Sequence, residues 1–210
     1  MKLKLFKTTI TVLTLLVTSL FNVASAGLIT AVSFDDVTNS RNTNTWVLGW
    51  EFTVVDNIIV TDLGVLDING DGFAGEHEVG IFDMSGTLLS STFINSTSLL
   101  GANNFRYNTI NELGLFSGTS YVIAAYVGNE LYTDSNNVTN LQFTPEITFN
   151  RSRFESTTAF LYPTAGSNDS LSFFGANFQY QTTSVPEPST LAIFALGIVG
   201  LAARKFKKKA

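Results

Sequence analysis

Trp46-Val47-Leu48-Gly49-Trp50-Glu51-Phe52-Thr53-Val54 is the stretch whose reading decides the fold. Successive side chains of an extended chain point to opposite sides, so Trp46, Leu48, Trp50, Phe52 and Val54 share one face. Five large apolar groups at period two predict a strand laid over a core. Outward from this stretch the pattern repeats. Asn57–Asp67 is a second run rich in β-branched residues. Glu78–Met84 and Thr87–Ile94 read as a hairpin joined through Asp83-Met84-Ser85-Gly86. Phe105–Ile110, Ser120–Val127, Leu141–Phe149, Phe154–Tyr162 and Leu171–Tyr180 follow, separated by Gly, Asn, Asp and Ser. No helical period emerges between Gly27 and Gln181. About nine strands at such spacing predict an all-β fold, an antiparallel β-sandwich of jelly-roll or Greek-key type. A closed barrel is the second choice, and a parallel α/β fold lacks its helices. Pro145 and Pro163 fall where strands begin or end, where a missing N–H interrupts no ladder.

Composition narrows the function. The chain has 210 residues, no cysteine, and a net charge of −5. Residues 27–184 alone carry 16 acids against four arginines (Arg41, Arg106, Arg151, Arg153) and no lysine, a net charge near −12. Such a surface repels phosphate backbones, which excludes nucleic acid as a partner. Without cysteine there are no disulfides, thiol nucleophiles or zinc–cysteine sites. The body must be held by burial alone. A domain of this size buries roughly two-thirds of its unfolded surface, and 14 of the 18 phenylalanines lie within it.

Both ends read as addresses. Residues 1–26 have the three parts of a secretory signal peptide: Lys2, Lys4 and Lys7, then the apolar stretch 8–21, then Ala24-Ser25-Ala26. Ala24 and Ala26 are the small residues of the cleavage site, which places the cut after Ala26 and implies the Sec machinery and signal peptidase. At the other end, residues 182–188 form a linker containing Pro186-Glu187-Pro188. Each proline fixes φ and removes a backbone donor, so this segment is extended and accessible. Residues 189–203 follow, an almost wholly apolar transmembrane helix. At ~1.5 Å per residue it spans roughly 22 Å, short of a ~30 Å hydrocarbon core. Residues 204–210 carry Arg204, Lys205, Lys207, Lys208 and Lys209, which anchor the tail on the cytoplasmic side of the inner membrane. Arg204 and Lys205 extend its reach by snorkelling.

The order Pro186-Glu187-Pro188, short apolar span, terminal Arg/Lys cluster resembles the PEP-CTERM sorting signal of Gram-negative bacteria. The resemblance covers about the last 25 residues. It implies an exosortase as processing partner, recognition through Pro186, Glu187 and Pro188, removal of the tail, and delivery to the outer surface or an exopolysaccharide matrix. The alternative for these residues alone is a permanent tail anchor behind a proline-rich stalk. Residues 63–91 also resemble a β-rich domain of unknown function found in such proteins, which implies no activity.

Within the body, Asp67-Ile-Asn69-Gly-Asp71-Gly72, five residues, then Glu78 fits the calcium-loop pattern. Calcium takes 6–8 hard oxygens, and alternating acids in a tight loop direct several at one centre. Asp67, Asn69, Asp71, the Phe73 carbonyl and Glu78 are the candidate ligands. The same letters also make a plain polar turn, since Asn-Gly and Asp-Gly supply turn chemistry. His77, the sole histidine, is a candidate general base or metal ligand, or a loop-fixing residue. Asp35-Asp36 and Glu76/Glu78 are the neighbouring carboxylate pairs, and on a strand Asp35 and Asp36 would face opposite ways. Tyr107, Tyr121, Tyr126, Tyr132, Tyr162 and Tyr180 are candidates for stacking on sugar rings or for core packing.

These readings converge on an exported, exosortase-processed protein of the cell surface or extracellular matrix. Its role is structural or adhesive, and it is not an enzyme. The alternative is a secreted carbohydrate-binding module, calcium-assisted or not, and behind that a surface glycan hydrolase.

Overall fold

The computed structural model describes residues 27–42, 45–128, 130–167 and 173–183. The signal peptide, the transmembrane helix and the basic tail expected from the sequence lie outside the described residues. Thirteen strands run through the described residues. They are β1 (Ile29–Thr30), β2 (Val32–Ser33), β3 (Trp46–Val54), β4 (Ile58–Leu66), β5 (His77–Asp83), β6 (Leu88–Ile94), β7 (Leu99–Leu100), β8 (Phe105–Leu115), β9 (Ser120–Tyr126), β10 (Gln142–Phe143), β11 (Ile147–Ser156), β12 (Ala165–Ser167) and β13 (Ala176–Thr182). All pair antiparallel. Six form a sheet in the order β12-β11-β3-β9-β5-β6, five form a sheet in the order β1-β13-β4-β8-β7, and β10 and β2 make a short ribbon. Consecutive strands such as β3 and β4 lie in different sheets, the crossover habit of a sandwich. Residues Gly27–Thr183 make one compact unit.

β3 forms over all nine residues expected of it, at the centre of the larger sheet. Trp50, Phe52 and Val54 face the other sheet, where Phe178 of β13 meets them: its ring centroid lies 5.9 Å from Trp50 and 5.1 Å from Phe52. The indole N–H of Trp50 donates to the carbonyl of Ala176 at 2.9 Å, tying the sheets together through the core. Trp46 and Leu48, on the same face, pack with Val127, Tyr132, Phe154 and Phe173 at one end.

The opposite face of β3 is buried as well. Val47 packs with Phe82, Val122 and Ala124, and Phe160 and Tyr162 cover them. The sequence places strands at Leu141–Phe149 and Phe154–Tyr162; instead the two-residue β10 (Gln142–Phe143) is followed by one long strand, β11, through Ile147–Ser156. The chain beyond Ser156 then folds over the outer face of the sheet. Arg151 and Arg153 break the apolar pattern of β11 because both face that outer side. A register shift between Phe149 and Arg151 puts Asn150 and Arg151 on the outer face in succession. Without that bulge every later side chain of β11 would be inverted. Gly49 permits the close pairing of β3 with β9: a Cβ there would stand 2.0 Å from the carbonyl oxygen of Ile123. β8 continues past Ile110 to Leu115, and β13 begins at Ala176 rather than Leu171.

Candidate functional site

β4 leaves the core at Leu66 and delivers Asp67 into the loop that leads to β5. Gly70 and Gly72 adopt φ of +70° and +101°, which folds the loop back on Asp67. The Asp67 carboxylate accepts the amides of Gly70 at 3.1 Å and Gly72 at 2.9 Å. It also accepts Nε of Arg106, from β8, at 2.7 Å. The rest of that guanidinium donates to the carbonyls of Ser96, Ser98 and Gly70 at 3.0, 3.1 and 3.3 Å. One arginine of β8 therefore joins two loops, and Asp67 and Arg106 are both buried.

Asp67, Asn69, Asp71 and Phe73 line a single hollow of about 30 Å³. The carboxylate that joins them is Glu130, which accepts the amide of Ala74 at 2.8 Å. Glu78 takes no part in the hollow and accepts the Ser91 hydroxyl at 3.0 Å across the β5–β6 pair. Among the described residues no group of three or more His, Asp or Glu side chains is gathered to hold a metal ion. The positive charge at the head of this loop belongs to Arg106.

His77 is buried beside Phe73, ring centroids 4.6 Å apart. Its Nδ1 donates to the carbonyl of Tyr126 at 3.0 Å, which leaves Nε2 deprotonated in the neutral ring. Glu130 stands 3.8 Å from Nε2. His77 thereby fixes the Phe73 loop against the turn after β9. Of the other carboxylates, Glu76 accepts the Asn95 amide at 3.3 Å. Asp35 and Asp36 follow β2, which ends at Ser33. Both line one polar cleft of about 430 Å³, with Asn69, Asn103 and Asn104. The two asparagines at 103 and 104 sit at φ of 56° and 58°, a left-handed pair that turns the chain sharply before β8.

A second charged cluster lies on the outer face of the larger sheet. Glu51 Oε2 accepts Arg151 Nε at 2.8 Å and Arg153 Nη2 at 2.6 Å. Burial raises the pKa of this carboxyl, but the hydrogen bonds and charges of both arginines outweigh it and hold the group below its ordinary value. Arg41 pairs with Asp134 at 3.3 Å. Each of the four arginines of the body is thus ion-paired. The tyrosines serve packing: Tyr107, Tyr121, Tyr132 and Tyr180 are buried, and Tyr126 and Tyr162 are half-buried against Phe82 and its neighbours. Burial pushes the Tyr107 and Tyr180 hydroxyls well above the ordinary tyrosine value. Arg106 and Glu130 are the site residues that sequence spacing missed. The signal for Arg106 was scarcity, since the body has only four arginines among 16 acids; Glu130 left no such signal.

Residues 184–208 match the family model described as the PEP-CTERM protein-sorting motif. The chain ends in a PEP-CTERM motif. Its matched span contains Pro186, Glu187, Pro188, Arg204, Lys205, Lys207 and Lys208, with Lys209 next to it. All of these, like Ala24 and Ala26, lie outside the described residues. A PEP-CTERM motif implies an exosortase as processing partner, with export and transient membrane anchoring before release outside the cell. No curated protein and no solved structure matches the chain.

Proposed function

We propose that this is an exported surface or matrix protein whose PEP-CTERM tail is removed by an exosortase. The globular body then acts by contact, in a structural or adhesive role, without catalysis. The observation that carries this reading is the sorting motif at residues 184–208, preceded by a self-contained sandwich. A secretory signal peptide over residues 1–26, cut after Ala26, supplies the entry to the export route. The adhesive role draws support from Leu88, Leu89, Phe93, Leu99 and Leu100. These are large apolar side chains exposed on β6 and β7, near one another in sequence, with no charged residue between Thr87 and Ala102. β6 and β7 are the edge strands of their sheets, and exposed apolar edges are open to pairing with another chain.

The test is a double substitution, Pro186→Ala with Glu187→Ala, followed by fractionation of the producing cells and mass spectrometry of both termini. The wild-type protein should be recovered outside the cell without Lys209, and the variant should stay in the inner membrane at full length. Normal tail removal in the variant defeats the proposal.

A further inference from the structure

The described residues begin and end at one place on the sandwich. β1 pairs antiparallel with β13, Ile29 facing Tyr180, so Gly27 and Leu28 lie beside the last residues of β13. On its other side β13 closes against β4, Thr182 facing Ile58. The turns around this point are bonded to one another. The side-chain oxygen of Asn57 accepts the Ser117 amide at 2.8 Å, and its carbonyl accepts the Thr183 hydroxyl at 3.2 Å. The Ser117 hydroxyl donates to the Val55 carbonyl, and the Val55 amide donates to the Glu146 carbonyl at 2.8 Å. These bonds hold the turns, and yet three large apolar side chains stand in solvent on them: Phe116 is 64% exposed, Leu28 54% and Val55 44%.

The charge at this end is of one sign. Asp56 is exposed, Glu146 is half-buried and accepts the Tyr180 hydroxyl at 2.7 Å, and none of the four arginines of the body lies in the turns 55–57, 116–119 or 144–146. Surfaces that lie on bilayers pair their apolar groups with Lys and Arg, and acids oppose an anionic lipid surface. An apolar patch with an aromatic group and no cation suits a protein partner instead. The length of chain that follows says which partner. The matched motif begins at residue 184, directly after Thr183, and Pro186 is the third residue beyond Thr183. Three residues reach at most ~11 Å. A folded enzyme is wider than that, since even ~100 residues have a radius of gyration of about 13 Å. A protein that grips Pro186-Glu187-Pro188 therefore comes against this end of the sandwich. We propose that Leu28, Val55 and Phe116 form a docking surface for the exosortase, used while the tail is still attached. This rests on the sorting reading and adds to it a recognition element in the body, outside the motif.

Pulse–chase of the full chain in its producing cells, with mass spectrometry of the C-terminus, tests it. Phe116→Ser should slow tail removal about tenfold, the loss of one buried aromatic contact, and Val55→Ser should slow it less. Phe93→Ser, at an exposed phenylalanine of β6 outside this patch, should leave the rate at the parental value. The melting temperatures of the released proteins should agree. The proposal is overturned if Phe116→Ser is processed at the parental rate while Pro186→Ala with Glu187→Ala is held at full length, a result that leaves the sorting reading standing. Normal tail removal in that double variant would defeat both. Equal slowing by Phe93→Ser would also overturn the docking surface. So would binding of the released protein to phosphatidylethanolamine–phosphatidylglycerol vesicles that Phe116→Ser abolishes, which would give the patch to the bilayer.

Discussion

Arg106 Nε stands 2.7 Å from Oδ2 of Asp67, joining β8 to the loop after β4 across 39 residues of chain. Both partners are buried, so removing one leaves the other charge stranded. Arg106→Ala should cost about 3–5 kcal/mol of stability, read as a lower urea midpoint. Replacing both partners by apolar residues of similar volume should restore much of the loss, because breaking a buried pair is costlier than deleting it. The guanidinium already neutralises Asp67, so melting curves in excess calcium and in EGTA should coincide. A lower melting temperature in EGTA would show that a metal shares the loop.

Glu51 gives the body a defined acid sensitivity. Its folded-state pKa lies below the ordinary glutamate value because Arg151 and Arg153 bond the carboxylate. A depressed carboxyl stabilises the fold fully above the unfolded pKa of about 4.3, and the contribution is lost as pH falls through the lower folded value. Unfolding midpoints should therefore decline on acidification below pH ~4. Glu51→Gln should flatten part of that decline while lowering stability at neutral pH, since it leaves the buried Arg153 without a counter-charge. An acid limb as steep as that of the wild-type protein would remove Glu51 from the account.

How far these features can be read from sequence depends on whether their causes are local. β3 is legible because alternation of five large apolar groups is a property of nine consecutive residues. The PEP-CTERM tail is legible for the same reason, its three elements lying in a fixed order within 25 residues. β11 is not, because Arg151 and Arg153 interrupt the apolar pattern and their compensation comes from Glu51, about 100 positions away. The Asp67 loop is legible as a turn with acids at alternate positions. The distant Arg106 that pairs with the first acid leaves no mark in the spacing. The two aspartates at 35 and 36 lie beyond the strand, which ends two residues earlier, a boundary that side-chain alternation assumes away.

Gly49 marks where two central strands press together. A Cβ at this position would stand 2.0 Å from the Ile123 carbonyl oxygen and 2.6 Å from the Cα of Ala124, both backbone atoms. Neither can swing aside as a side-chain tip can. Gly49→Ala should therefore separate β3 from β9 locally and cost about 1–3 kcal/mol or more. Gly114→Ala is the control, since an added Cβ there meets nothing within 4 Å. Equal urea midpoints for the two variants would contradict the packing described.

Trp50 offers the sharpest probe of the sandwich itself, because it joins the sheets in two ways. Its ring lies nearly parallel to Phe178, with 17° between the planes, and its N–H donates to the Ala176 carbonyl. Trp50→Phe keeps an aromatic group and loses the donor. The Ala176 carbonyl is then buried without its partner, a penalty of about 1–3 kcal/mol, and the smaller ring leaves a gap that adds to it. Unfolding followed by the fluorescence of the remaining Trp46 should show a midpoint shift at least as large as that of Gly49→Ala, with an unchanged far-ultraviolet spectrum before the transition. A variant as stable as the parent would mean that the sheets are held by the surrounding phenylalanines alone and that the indole hydrogen bond contributes nothing to their alignment.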